Sequence, residues 1–277
     1  MTDGEPMEEE SGAHDLVRLV GRQLKTLRLR AGLEREEFAD RMGFSPHTIA
    51  SIEQGRRRPP GPDFLDRADD LLDAGGVLSA AKHAVSRTRL PAFFRGVAGL
   101  EERAVEYHSY ENQVVPGLLQ TEEYTRALYR MRRPALDDDT VEGHVAARMT
   151  RRGFLDRTPP PTTSFVMEEV VLRRPLGGRE VLHGQCRHLL ALAARRNIEI
   201  QVLPTEIDDH AALGGPLVLL RPGNGSMVAY LEVQNASALR TDRNAVREIA
   251  QRYETIRAQA LTPRETLRYI EKLVGET

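Results

Sequence analysis

The residues of this chain best suited to chemistry are basic and local. Residues 16–60 hold ten bases (Arg18, Arg22, Lys25, Arg28, Arg30, Arg35, Arg41, Arg56, Arg57 and Arg58) against five acids, a net of +5. Residues 1–15 hold six acids and no base, and the whole chain carries a formal charge of only −2. A basic excess confined to one small segment is the electrostatic footprint of a surface that meets phosphate. The arginine bias itself carries less. Lysine occurs only at Lys25, Lys82 and Lys272, and a GC-rich genome accounts for that.

Other chemistries find little support. No glycine-rich loop follows a strand and opens a helix as a phosphate cradle requires; Gly214-Gly215 and Gly223-Asn-Gly225 read as turns. There is no His-Glu-x-x-His and no Gly-x-Ser-x-Gly elbow. His183 and His188, with Cys186 between them, are wrongly spaced for a metal site, and Asp208-Asp209-His210 reads as a polar loop. Cys186 is the single cysteine, so no intramolecular disulfide is possible. The chain is expected not to be an enzyme and to need no metal or cofactor. No apolar run approaches the ~20 residues of a membrane span. The acidic N-terminus lacks the basic and apolar regions of a secretory signal. A cytoplasmic, nucleoid-associated location is expected, with no membrane partner.

These residues need elements to position them. At 277 residues, about two domains are expected. Residues 1–14 lack apolar periodicity and read as a disordered acidic tail. Val17, Val20, Leu24 and Leu27 then recur at helical spacing, ending near Gly32. A second short helix fits Glu34 to Met42, burying Phe38, Ala39 and Met42, and Gly43 closes it. A third fits Pro46 to Gln54, with Ser45 as its cap and Gly55 as its stop. Pro59, Pro60 and Pro62 enforce a break before a fourth helix at about 63–73. This gives a domain over 15–75, a connecting helix or linker over 76–92, and a C-terminal domain over 93–277.

The C-terminal domain mixes types. Helical patterns cover roughly 97–109, 121–132, 138–153, 180–196, 242–259 and 263–273, with Thr262 placed to cap the last. Strands fit Ser164 to Met167, Ile198 to Leu203, Pro216 to Leu220 and Met227 to Val233, the last two as a hairpin across Gly-Asn-Gly. The expected class is α+β: an all-α N-terminal domain, then a small, mostly antiparallel sheet packed by helices.

Three short helices with a tight glycine turn between the second and third describe a helix-turn-helix. The third helix of that motif lies in the DNA major groove, and the second starts near a phosphate. Leu24-Lys-Thr-Leu-Arg28, Gly32-Leu-Glu-Arg-Glu-Glu-Phe-Ala39, Gly43-Phe-Ser-Pro-His-Thr-Ile-Ala-Ser-Ile-Glu-Gln-Gly-Arg56 and Pro59 together resemble the lambda-repressor-like helix-turn-helix of the XRE family, over about 50 residues. Two positions depart from that pattern: Glu34 stands where Ser or Thr usually caps the second helix, and Arg35 where Gln usually follows. The resemblance implies that Ser45, Pro46, His47, Thr48 and Ser51 face the groove. His47, Thr48 and Ser51 can hydrogen-bond base edges, while Pro46 offers only apolar contact. Without a bidentate reader among them, phosphate contacts and DNA shape should supply much of the affinity. Arg35 and Arg56-Arg57-Arg58 are the phosphate candidates, with Gln23 beside them. Arg28 and Glu53 resemble the family's partly buried ion pair joining the first and third helices.

Pro116-Gly-Leu-Leu-Gln-Thr-Glu-Glu-Tyr124, Arg148-Met-Thr-Arg-Arg152 and Ala260-Leu-Thr-Pro-Arg-Glu-Thr resemble the C-terminal domain of an actinobacterial group of XRE-type regulators, over about 90–273. That resemblance implies a regulator with a small partner protein encoded nearby, in an antitoxin-like arrangement. The expected partners are double-stranded DNA with a pseudo-palindromic operator, a second copy of the chain, and that small protein. The alternative is a small-molecule sensor. Tyr107, Tyr110, Glu111, Gln113, Gln120, Tyr124, Arg148, Arg152 and Glu168 supply the polar and aromatic groups that a ligand or partner site uses.

Overall fold

The computed structural model describes residues 5–59, 63–88, 92–223, 225–233 and 236–275. Residues 1–4 of the expected tail, the break at Pro60 and Pro62, and Asn224 of the expected hairpin turn lie outside them. The chain divides into two compact units. One takes residues up to Arg95 with Glu142–Thr150; the other takes Gly96–Val141 with Arg151 onward.

The first unit opens with α1, Glu5–Arg30. The expected disordered tail is therefore corrected over Glu5–His14, where the helix already runs. Pro6 suits a first turn. Glu, Met and Ala are strong helix formers. Helices α2 (Arg35–Met42), α3 (Pro46–Glu53) and α4 (Asp63–Leu71) follow. Their core joins Val20, Leu24 and Leu27 to Phe38, Met42, Ile49, Ile52, Phe64, Leu65 and Ala68.

The connector is also corrected. Leu78, at the start of a short 3-10 turn, and Val85, on α5 (Lys82–Arg87), belong to this same core. Residues 76–87 thus belong to the first unit. Buried Asp69 organises the way there: its carboxylate accepts from Gly76 N at 2.6 Å, Leu78 N at 2.6 Å and Ser79 N at 3.2 Å.

After α6 (Ala92–Glu101) the second unit builds a six-stranded sheet. Its strands are β1 (Ala104–Glu111), β2 (Thr162–Glu168), β3 (Ile198–Leu203), β4 (Leu217–Pro222), β5 (Val228–Val233) and β6 (Ala236–Arg240). Their spatial order is β3-β2-β1-β4-β5-β6. The sheet is mixed rather than mostly antiparallel: β1–β2 and β2–β3 pair parallel, while β1–β4, β4–β5 and β5–β6 pair antiparallel. Between β1 and β2 run α7 (Glu122–Arg130) and α8 (Asp138–Arg152). Between β2 and β3 run α9 (Glu169–Arg173) and α10 (Arg179–Ala193).

The helix expected over 97–109 ends at Glu101, and β1 occupies Ala104–Glu111. β1 is a central strand, yet it carries Glu106, His108 and Ser109, so no clean alternation of apolar and polar residues marks it. One face of the sheet is covered by α11 (Arg243–Gln259), whose Val246, Ile249, Tyr253 and Ile256 pack with Tyr110, Val166, Leu203, Leu217 and Leu219. On the other face Tyr107 packs its ring against Phe154 and Phe165. The chain leaving α11 closes the β3 edge: Leu261 N donates to Val202 O at 2.8 Å, and Val202 N donates to Thr266 Oγ1 at 3.1 Å. Thr266 lies on α12 (Pro263–Gly275), which Thr262 and Glu265 start as a reciprocal capping box.

Candidate nucleic-acid interface

The turn between α2 and α3 follows from its residues. Gly43 takes a left-handed conformation (φ 76°), which glycine adopts without steric cost. Its N–H donates back to α2, and Phe44 N reaches Ala39 O at 2.9 Å. Ser45 then caps α3, accepting from Thr48 N at 3.2 Å, and its hydroxyl meets that of Thr48 at 3.0 Å. Pro46 takes the first helical turn, where no N–H bond is lost. By contrast Glu34 precedes α2 without a side-chain cap.

Helix α3 buries Ile49, Ile52 and Glu53. Ser45, Pro46 and His47 are exposed, and Thr48 and Ser51 are half-buried, so these five residues share the open side of the helix. Gln54 is exposed at its end and was not anticipated; its amide adds a donor and an acceptor there. Gly55 (φ 69°) turns the chain, and the N–H groups of Arg56 and Arg57 return to Ser51 O. Arg56 and Arg58 are exposed; Arg57 and Gln23 are half-buried.

The structure brings Arg28 and Glu53 together at 3% exposure each, with Nε–Oε1 at 2.6 Å. Arg28 also donates to Leu33 O at 2.6 Å. One relationship was not anticipated: Arg35 Nε donates to Glu53 Oε2 at 3.2 Å. A phosphate candidate is thereby tied to the buried carboxylate, with about a third of its side chain in solvent. Exposed Glu34, Glu36 and Glu37 surround it and oppose an anion at the start of α2. The exposed arginines after α3 have no such acids beside them in sequence. Gly21 was also missed. A Cβ there would stand 2.3 Å from Ile52 O and 2.9 Å from Glu53 O, so glycine is what lets α1 touch the α3 backbone. A lone glycine inside a helical pattern was the available signal.

The nine C-terminal candidates do not form one pocket. Tyr107 and Tyr110 lie on opposite faces of β1. Gln120 and Tyr124 are buried and tie down the loop before α7: Gln120 Nε2 donates to Val115 O at 2.7 Å, and Val115 N donates to Tyr124 Oη at 3.3 Å. Gln113 is exposed and offers its carbonyl to Arg174. Glu111 is half-buried at the end of β1, and Arg148 is half-buried on α8. Arg152 Nη2 sits 3.1 Å from His188 Nε2; burial, then that guanidinium, lowers the His188 pKa. Tyr110 Oη donates to Glu168 at 2.5 Å, and His210, expected as plain loop, reaches the same carboxylate at 3.0 Å. A shallow depression elsewhere is lined by Thr121, Glu123, Glu180, Val181 and Gly184, none of the nine. Among the described residues no group of three or more His, Cys, Asp or Glu could hold a metal ion, and no helix is long and apolar enough to cross a membrane.

Residues 94–272 match a family described as a domain of unknown function, DUF5753, and residues 19–82 match one described as a helix-turn-helix domain. An uncharacterized HTH-type transcriptional regulator of Sinorhizobium fredii is 44% identical over 45 residues, which are 16% of this chain and 58% of that protein. The chain therefore covers less than two thirds of that relative. No solved structure matches.

Proposed function

Since the chain belongs to the family of the domain of unknown function DUF5753, here joined to a helix-turn-helix domain, we propose that it is a sequence-specific DNA-binding transcriptional regulator. The observation that carries this reading is α3. Its apolar side is buried, while Ser45, Pro46, His47, Thr48 and Ser51 remain accessible beside Arg56 and Arg58. Such a helix can enter a major groove while the arginines meet phosphate. The name of the Sinorhizobium relative agrees.

In this reading the protein acts in the cytoplasm, by binding rather than catalysis. Two copies place their α3 helices on one duplex face about one helical turn, roughly 34 Å, apart, and so read a pseudo-palindrome. The C-terminal domain supplies the dimer contact and receives a signal by docking a small protein. The test is selection of duplexes by the full chain from a random pool, followed by titration at several salt concentrations. An enriched two-fold-related site supports the proposal; equal affinity for all duplexes overturns it. A second reading, a small-molecule sensor, is favoured by the polar cluster of buried Tyr110 and Glu168 with half-buried His210.

A further inference from the structure

We propose that Glu168, at the carboxyl end of β2, anchors a binding site for a small primary ammonium ion, with Asn112 as its second acceptor. The proposal deepens the sensor reading and rests on it for any effect on DNA. The site itself is argued from its own geometry.

Glu168 is 8% exposed. Tyr110 Oη donates to Oε1 at 2.5 Å, and His210 Nε2 lies 3.0 Å from the same oxygen. The proton on His210 is placed by its other nitrogen, since Nδ1 accepts from Ala212 N at 3.1 Å and leaves the ring proton on Nε2. Burial, then the Glu168 hydrogen bond, raises the Tyr110 hydroxyl well above its usual range, so it remains a donor as well. Among the described residues nothing donates to Oε2. A second acceptor stands just past the end of β1. Asn112 Oδ1 is buried without a partner. Asn112 follows Glu111, whose partner on β2 is Met167, the residue before Glu168. An unpaired acceptor is costly when withdrawn from water, as Asn112 Oδ1 is, while Glu168 Oε2 stays open to an incoming donor.

The charge around them selects its sign. The 204–216 loop that carries His210 holds Glu206, Asp208 and Asp209 and no Lys or Arg. Of the arginines on adjoining elements, Arg173 is paired with Glu169, Arg174 donates to the Gln113 carbonyl, and Arg252, which lies against the loop at Gly214, is paired with Glu248. A cation with several N–H donors fits two acceptors in an acidic surround. A quaternary ammonium lacks the donors, an anion has the wrong sign, and among the described residues the one His at this carboxylate carries N–H rather than a metal-binding lone pair on the nitrogen that faces it. The carboxyl ends of parallel strands are also where α/β sheets commonly take ligands.

The test titrates the full chain with propylammonium and follows the His210 ring signals by NMR, assigned with His210→Gln. A saturable shift is expected in the wild type. Glu168→Gln, which keeps an acceptor for Tyr110 but removes the charge, should abolish it. Asn112→Leu should weaken binding about tenfold. Tetramethylammonium at equal ionic strength should leave the signals unmoved. No saturable shift, an equal shift with tetramethylammonium, or wild-type binding by Glu168→Gln would overturn the site. Affinity for the selected duplex is measured with and without propylammonium. A change absent from Glu168→Gln supports the sensor reading. Saturable binding that leaves DNA affinity untouched keeps the site and overturns that reading alone.

Discussion

Arg28 and Glu53 join α1 to α3 through a buried ion pair, Nε to Oε1 at 2.6 Å. Neither group has solvent to fall back on, so removing one strands the other. Glu53→Ala should cost about 3–5 kcal/mol, a large share of the stability of a small domain. Thermal unfolding of the first unit checks this. Replacing both partners by apolar residues should recover much of the loss, and unchanged melting in Glu53→Ala would show that the pair carries no stability.

Arg35 and Arg56 should separate stability from DNA affinity. Arg35 donates to Glu53, whereas Arg56 is exposed. The double variant Arg35→Ala/Arg56→Ala is expected to weaken binding to every duplex alike. It should also flatten the dependence on log salt by about 0.9 for each phosphate that is no longer neutralised. Of the two single variants, Arg35→Ala alone should lower the melting temperature. A wild-type salt slope in the double variant would remove both residues from the interface.

His47 is exposed in the first turn of α3 and has both ring nitrogens to offer a base edge. His47→Ala should change the preferred base at one or two positions and leave the salt slope intact. Repeating the duplex selection with the variant checks this, and an unchanged preferred sequence contradicts it.

Gly21→Ala should loosen the packing between α1 and α3. The new methyl meets backbone carbonyls, which cannot rotate away. Overpacking of this kind costs about 1–3 kcal/mol. Because α3 carries the reading residues, DNA affinity should fall with stability, whereas Gln23→Ala, two residues on, should lower affinity alone.

The C-terminal unit should weaken in mild acid. Burial lowers the pKa of His108, with the Arg257 and Arg221 charges adding to the shift and Glu106 opposing it. His108 is held by Ser164 Oγ at 2.7 Å. A histidine whose folded pKa lies below its unfolded value of about 6.5 binds its proton more readily when unfolded. Its contribution is complete above that value and is lost as pH falls towards the folded pKa. His188 adds the same sign. Melting of this unit between pH 8 and 5 should therefore decline on the acid side. His108→Gln should shallow that decline, and an undiminished slope would assign it to other groups.

The helix-turn-helix was legible because its signals are local. The cap at Ser45, the turn at Gly43, the proline at position 46 and the apolar spacing from Val17 to Leu27 each act within a few residues. Strand β3 was legible from Ile198 to Leu203 for the same reason. β1 was not, since a central strand is defined by its neighbours on both sides, and Glu106, His108 and Ser109 disguise its period. The fate of 76–87 was equally hidden, because Leu78 and Val85 reveal their role only through the core they enter.

By itself the sequence determined most of the helices, the basic segment and the side of α3 left for a partner, since these follow from periodicity, capping and charge along the chain. Only the tertiary structure decided that Arg35 shares Glu53 with Arg28, and that Tyr110, Glu168 and His210 meet although 58 and 42 residues separate them. Pairing across such distances depends on strand order and loop path, which no local preference encodes.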